Sequence, residues 1–391
     1  MDNGQHLLMG CYADTLRYLD LIGSRPLARL QRSLHIDFAD VLTGRKTALH
    51  AAPLPAPFHV FGGLLRLPTL TTRDKVRLLT MGLELLWSAP WKEYALQHMT
   101  VEHWLRELGQ SESARRHLWD VIVIGSLNDA PDRVSALLFF RVLRKAFFGR
   151  RSNASLLIPT VGLSELLVNP ARAFIENHRG QAITGTAIAQ VVIRDGRAAG
   201  VRTAAHELPA SHVILAVPHH TVGTLLPDSA FARSAAQLAS SPIITVNLWF
   251  DRSVMEEEFV ALLNGRMQWA FNRSRMLGSS KEGQFVACVL SGAGDLVMLE
   301  KDELVGMALK DLGAVFPAVA GAQVRHLLVV KEMRAPFAPV PGSEKFRPGT
   351  TTDIPGLFLA GDWTNTGFPA TIEGAVLSGR MAAETVLADL R

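Results

Sequence analysis

Leu357-Phe358-Leu359-Ala360-Gly361-Asp362-Trp363-Thr364-Asn365-Thr366-Gly367-Phe368-Pro369-Ala370-Thr371-Ile372-Glu373-Gly374-Ala375-Val376 is the most informative stretch of the chain. Leu357 to Ala360 is a short continuous apolar run and reads as a buried strand. Gly361 and Asp362 stand at its carboxyl end, followed by a loop through Gly367 and Pro369. A helix then starts at Thr371, with Ile372, Ala375, Val376, Gly379, Ala383, Val386 and Leu387 spaced to form one apolar stripe. In open α/β sheets ligands sit beyond the carboxyl ends of the strands. An Asp there accepts hydrogen bonds from sugar-type hydroxyls, and the free N–H groups of the next helix favour negative charge. Gly374, Ala375 and Gly379 are small enough to let that helix approach a sheet or a ligand closely. A plain βα unit closing a sheet reads the same way at this level.

A reduced flavin carries its negative charge at N1–C2=O, so a strand, an Asp and a helix N-terminus suit a flavin. The whole string from Gly361 to Arg380 resembles the C-terminal flavin-binding signature of the amine oxidase and phytoene desaturase superfamily. Gly361-Asp362-Trp363-Thr364, with Thr371-Ile372-Glu373-Gly374-Ala375-Val376-Leu377-Ser378-Gly379, looks like its carotenoid and squalene branch. At the other end, Asp2-Asn3-Gly4-Gln5-His6-Leu7-Leu8 through Gly10-Cys11-Tyr12 resembles the squalene-associated FAD-dependent desaturases. These are the hydroxysqualene dehydroxylase family, linked to hopanoid synthesis. Gly125-Ser126-Leu127-Asn128 and Pro159-Thr160-Val161-Gly162-Leu163-Ser164 match as well, so the resemblance runs from Asp2 to about Leu387.

The resemblance implies FAD as cofactor. On its pattern Gly361 and Asp362 face the ribityl chain, and Thr371 and Ile372 the flavin ring. Ile188 lies where the backbone approaches the adenine side, and Gly4, Gln5 and His6 face the isoalloxazine. Asp2 and His6 are polar neighbours of the ring, either holding the loop or taking part in catalysis. The implied fold is α/β: a FAD-binding Rossmann-like (GR2-type) domain, incomplete at its N-terminus, with an inserted mixed-sheet and helical substrate domain. Residues 1–50 are then the remnant of the FAD-binding domain and the start of the substrate region. Residues 51–170 form a mainly helical, lipid-facing substrate region. Residues 171–225 are the middle of the FAD-binding domain, 226–335 the substrate domain and 336–391 the C-terminal FAD-binding part.

Such folds open with strand, G-x-G-x-x-G and helix, whose glycines permit a tight turn and close approach to the pyrophosphate. No such opening precedes Gly4. The nearest string, Gly292-Ala293-Gly294-Asp295-Leu296-Val297, has Val at the third glycine and no acidic-ended strand about 20 residues on, which marks it as a decoy. The resemblance therefore leads us to expect about one βαβ unit, roughly 30 residues, ahead of this sequence. A start assigned too far downstream is the expected reason, with true truncation as the alternative. Either would leave a parallel-sheet edge exposed.

Composition limits the remaining classes. The chain has 391 residues, 48% of them hydrophobic, which excludes disorder and allows a large core. A net charge of +4 with scattered Lys and Arg carries no nucleic-acid signature. The densest basic cluster is Arg141, Arg144, Lys145, Arg150 and Arg151. It reads first as a helix C-terminus and second as a contact with anionic head groups, that is, a peripheral membrane contact. Two cysteines, Cys11 and Cys288, fit a reducing cytoplasm and indicate neither a disulfide framework nor a zinc site. No apolar run reaches membrane-spanning length, and no signal peptide is apparent.

Elsewhere the patterns predict helices from Thr71 to about Trp87, Thr100 to Leu105, Ser111 to Ile124, Arg133 to Phe147 and Glu303 to Val315. Strands are predicted at 243–250, 285–290 and 324–330, a hairpin at 187–203 turning at Asp195-Gly196, and a strand buried on both faces at 211–217. The large apolar residues of 87–148 are either helix packing or a greasy tunnel wall. His219-His220 lacks a third metal ligand at a recognised spacing and is placed in a loop at a strand end. Gly162-Leu163-Ser164 lacks the second glycine of a nucleophile elbow, which disfavours a serine hydrolase.

The resemblance implies reduction of hydroxysqualene to squalene, a long-chain isoprenoid, with loss of water and from an unspecified electron donor. His6 is the candidate proton donor. A carotenoid-type desaturase and a non-catalytic lipid-binding remnant are the alternatives.

Overall fold

A computed structural model describes residues 4–87, 90–279 and 283–391. Asp2, named above as a neighbour of the ring, lies outside the described residues. The largest sheet runs, edge to edge, through Val324–Glu332, Ile243–Phe250, Gln284–Ser291, Trp269–Asn272, Phe259–Leu263, His35–Asp40 and Lys46–His50. It is mixed: Phe259–Leu263 pairs parallel with His35–Asp40 and the other pairs are antiparallel.

Period-two alternation divides the residues of this sheet between two cores. Val286, Cys288 and Leu290 face the helix Lys301–Val315, together with Ile244, Val246 and Leu248. Ala287 and Val289 face the other way, into a layer of helices. That layer comprises Phe58–Leu64, Thr72–Leu86, Val101–Glu107, Asp120–Leu127 and Ala136–Phe147. Its starts are written in the sequence as caps. Thr71 Oγ1 accepts from the Asp74 N–H at 3.2 Å while the Asp74 carboxylate accepts from the Thr71 N–H at 2.9 Å, a reciprocal capping box. Thr100, Ser111 and Ser135 cap their helices with the side-chain half of that arrangement, each accepting from the N–H three residues on, so the predicted start at Arg133 falls slightly early. The 111–127 run contains a π turn, Arg115–Trp119.

The helical aromatics divide by role. Trp104, Trp119, Phe139 and Phe140 pack edge to face with centroids 6.1 to 6.3 Å apart, which is ordinary core packing. Phe147 lines a cavity, whereas Trp87 and Trp91 are exposed.

The quoted C-terminal stretch forms the strand Leu357–Leu359, parallel to Val213–Leu215, and the helix Ile372–Asp389. Two expectations need correction here. The 211–217 strand is not buried on both faces. Val213 and Leu215 point into the core, but Ile214 alternates outward and is 41% exposed, because the sheet has a core on only one side among the described residues. The apolar stripe of the final helix is likewise not its buried face. Ala375, Gly379, Ala383 and Leu387 are exposed, and Glu373, Gly374, Ser378 and Ala382 are buried. The inward side is small and polar because it bonds to backbone at close range. Ser378 Oγ accepts from the Gly361 N–H at 2.7 Å, and a side chain at Gly374 would come 3.1 Å from the Pro369 carbonyl. At Gly379 nothing lies within 4 Å, so its small size serves no close approach among the described residues.

The hairpin Ile188–Arg194/Arg197–Thr203 turns at Asp195 (φ 48°) and Gly196 (φ 74°), as a two-residue primed turn requires. His219 and His220 are not in a loop: they open the helix His219–Leu225 directly after Pro218. Gly292 (φ 59°) leads into the short turn Gly294–Met298, and a Cβ there would come 2.9 Å from Asp129 Cα. Packing alone explains that glycine.

Candidate functional site

Four of the expected site residues meet on one wall. Gly4, Gln5 and His6 enter a short strand, Leu8–Met9, whose antiparallel pairing with Leu156–Pro159 fixes their register. Thr371 approaches from the far end of the chain, with Phe368 and Pro369 beside it. All of them line a cavity of about 230 Å³. Its other walls are mainly apolar: Ile36 and Leu49 come from the large sheet, Leu34 from the residue just before it, and Val60 and Leu64 from the helix Phe58–Leu64, with Ser126, Asn128 and Ser291 as polar exceptions. Ile243 and Thr245, on the cavity side of their strand, close it from below.

The polar atoms at this wall are few. Gln5 is buried; its Nε2 donates to the His6 carbonyl at 3.1 Å, while its Oε1 has no partner. Thr371, extended at φ −140°, caps the final helix by accepting from the Gly374 N–H at 3.1 Å. The N–H groups of Ile372 and Glu373 in that first turn meet no acceptor among the described residues. His6 is exposed at the cavity edge. Lys145, read from sequence as part of a surface cluster, also lines the cavity, with Nζ 5.1 Å from the Phe368 ring centroid. Arg144 and Lys145 occupy the last turn of their helix, as the first reading of that cluster held. Burial pushes the Cys11 thiol up to about 12 and raises the Tyr12 hydroxyl further, so both stay neutral at this wall.

The remaining expected residues lie outside that lining. Gly361 (φ 135°) has a conformation that disfavours side chains, and a Cβ would come 2.5 Å from Trp363 Nε1. Trp363 Nε1 donates to the Val217 carbonyl at 2.8 Å, tying the loop to the neighbouring strand. Burial raises the Asp362 carboxyl above its usual range, opposed by the nearby Arg347 guanidinium. Ile188, paired with Thr203, packs on the core that holds Val213, Leu357 and Trp363. Ile372 packs with Leu8, Leu19 and Leu157.

Arg347 was missed in the sequence. It is buried in the Pro- and Gly-rich loop and donates to the carbonyls of Asp362 (3.1 Å), Trp363 (3.2 Å) and Thr364 (2.5 Å). Glu344 accepts from it at 2.8 Å. A single Arg therefore shapes the loop after the strand. An Arg directly before Pro348 and Gly349, in a loop otherwise rich in Pro, Gly and Thr, was the available signal.

A second, more polar cavity of about 390 Å³ lies on the other side of Gly4 and Gln5, lined by Asn247, Arg273 and Glu165. No group of three His, Cys, Asp or Glu side chains able to hold a metal occurs among the described residues. His219 is buried, contacts Ser240 Oγ at 3.3 Å and has its pKa lowered to about 4 by burial and by His220.

The residues present fit a flavin. An orphaned acceptor on Gln5, two unbonded helix N–H groups and an apolar wall match a planar ring with one N–H edge, carbonyl oxygens and two apolar faces.

Known proteins give the same answer. The chain is 25% identical over 399 residues to a hydroxysqualene dehydroxylase of Sinorhizobium fredii, covering 100% of this chain and 87% of that protein. It is also 25% identical to a zeta-carotene desaturase of Synechocystis, covering 100% of this chain and 88% of that one. Among solved structures, the cyclohexylamine oxidase of Brevibacterium oxydans superposes with a TM-score of 0.69 at 16% identity, over 100% of this chain and 88% of that one. The profile of the flavin-containing amine oxidoreductases matches residues 1–387. The chain belongs to the flavin-containing amine oxidoreductase family, with FAD as its cofactor.

Proposed function

We propose that this oxidoreductase acts on a long isoprenoid and reduces hydroxysqualene to squalene with loss of water. The observation that carries this reading is the cavity itself. Its walls are mostly aliphatic and aromatic, interrupted by Gln5, His6, Lys145 and Thr371 and by Ser126, Asn128 and Ser291. A polar amine would leave its charge unpartnered on such a wall, whereas a polyene loses only water. The similarity to a hydroxysqualene dehydroxylase supports the substrate class.

In this reading Gly361, Asp362, Thr371, Ile372 and Ile188 hold FAD, and Gly4, Gln5 and His6 border its ring. FAD supplies two-electron, hydride-level chemistry when bound. The chain's own residues do the rest. Leu34, Ile36, Leu49, Val60 and Leu64 exclude water and hold the hydrocarbon. Tyr12 and Cys11, kept neutral by burial, add no charge. His6 delivers a proton to the allylic hydroxyl, which leaves as water.

The test supplies hydroxysqualene and phytoene in matched detergent to the FAD-loaded protein, with a chemical reductant for the first and an electron acceptor for the second. Squalene from hydroxysqualene is the expected product. Dehydrogenated phytoene without squalene would establish the second reading, a carotenoid-type desaturase, which the equal similarity to a zeta-carotene desaturase favours. Lipid bound with no turnover of either would leave a non-catalytic remnant. His6→Ala should lower turnover before it lowers flavin content; equal loss of both would remove His6 from the chemistry.

A further inference from the structure

The helix Thr72–Leu86 turns its inner face, Leu78, Met81 and Leu85, into the core, yet its outer face is apolar too. Val76, Leu79, Leu83 and Leu86 fall on one outward stripe, with Leu83 67% exposed. Trp87 (73% exposed) follows, and Trp91 (69%) and Tyr94 (68%) extend the stripe along the helix Pro90–Leu96. Lys92 holds the two helices together, with Nζ 2.9 Å from the Glu84 carboxylate and 3.1 Å from the Trp87 carbonyl. Phe58 and Leu65 add to the surface from the adjoining helix Phe58–Leu64 and its C-cap.

A soluble surface scatters such residues singly; a contiguous run of this size marks an interaction face. Charge decides the partner. Residues 58–96 carry Arg66, Arg73, Lys75, Arg77 and Lys92, against three acids, Asp74, Glu84 and Glu93. Asp74 is consumed in the cap of its own helix, Glu84 in the pair with Lys92 and Glu93 in a pair with Arg141 at 2.8 Å, so the flanks of the stripe are cationic. Against a second copy of this face, those cations would meet their own kind. Against anionic head groups they are neutralised, while the leucines enter the acyl boundary and the two Trp and the Tyr sit at the interface. No helix among the described residues is long and apolar enough to cross a membrane, so this face would lie on a bilayer rather than span it.

We infer that Thr72–Leu86 and Pro90–Leu96 form a docking surface for an anionic phospholipid bilayer. The fold gives the surface a use. Phe61 packs on Gly82 of the surface helix, and Val60 and Leu64 of the same short helix line the cavity. Membrane and cavity are thus separated by a helical layer of ~10 Å. Delivery of an isoprenoid across that layer rests on the proposed substrate class; the docking itself does not.

The experiment is flotation of the full chain with vesicles of phosphatidylcholine alone, and with about one-third phosphatidylglycerol added. The expected result is binding to the mixed vesicles that weakens with salt and falls about tenfold or more in Leu79→Ser/Leu83→Ser. Arg73→Gln/Lys75→Gln disturbs no apolar contact; it should lower binding to mixed vesicles and flatten the salt dependence, and it decides the matter if the leucine variant loses its fold. Absence of wild-type binding, or equal binding by both variants, would overturn the inference. So would a dimer that dissociates in the leucine variant while vesicles bind neither protein. Squalene formation in detergent is measured separately, so failure of the substrate reading and failure of docking are distinguishable.

Discussion

Glu373 and Thr15 are locked together across the whole length of the chain. Glu373 Oε2 accepts from both the backbone N–H and Oγ1 of Thr15 at 2.9 Å, and its Oε1 accepts from the Asp14 N–H at 3.2 Å. The carboxylate, 0% exposed, thereby caps the helix Ala13–Leu21 from the first turn of the last helix. Arg380 reinforces the contact by donating to Asp14 at 2.7 Å. This link places the N-terminal segment bearing Gln5 and His6 against the helix that starts at Thr371.

Glu373→Ala should therefore destabilise by about 2–3 kcal/mol, because buried donors lose a charged acceptor. Glu373→Gln should cost less, since one acceptor remains. Thermal melts of the three proteins measure this; equal melting temperatures would show the bond to be energetically idle.

Thr371→Ala removes the cap that holds the Gly374 N–H and should cost about 1 kcal/mol. Because this turn is the proposed flavin contact, flavin content read from visible absorbance should fall as well, and Thr371→Ser should restore both. Full flavin content in the Ala variant would remove Thr371 from the binding site.

Two groups, the buried His219 and the half-buried Asp120, should oppose each other between about pH 4 and 6.5. His219 is held neutral down to about pH 4, so as pH falls below 6.5 the unfolded chain takes up a proton that the folded chain refuses, and stability drops. Asp120 has the reverse sign: burial raises it to about 6, so its ionisation costs stability as pH rises through this range. His219→Gln should flatten the acid-side loss. Asp120→Asn should raise the melting temperature at about pH 7.5 and leave it unchanged at about pH 4. Melting curves of both variants across pH check the two signs independently.

Leu64→Trp places a larger side chain in the cavity wall. If the hydrocarbon occupies this space, KM for a long isoprenoid should rise about tenfold or more, with flavin absorbance unchanged. An unchanged KM would put the substrate elsewhere.

Local patterns were readable where the physics is local. The capping box at Thr71 and Asp74, the turn at Asp195-Gly196 and the strand at 243–250 all lie where sequence places them, because caps, primed turns and alternation involve residues a few positions apart. The string around Gly361 and Asp362 pointed to the family for the same reason. Where reading failed, distance was the cause. The apolar stripe of the last helix was correctly spaced, but which side faces inward depends on Gly361, Pro369 and Asp14, which lie outside the helix, so the buried face is the small and polar one. His219 followed the same rule: its helix is set by Pro218 and its burial by Ser240 and a distant core.

Taken by itself, the sequence determined the element types, the caps and the flavin-type strand-loop-helix, since each depends on backbone preference and short spacing. Only the tertiary structure decided that Lys145 joins the wall shared by Gln5, His6 and Thr371, that Arg347 shapes the loop after the strand, and that Leu79, Leu83 and Leu86 face outward. Those three facts depend on segments tens to hundreds of residues apart being brought together, and on which face of each element the packing leaves uncovered; periodicity fixes a stripe but not its partner.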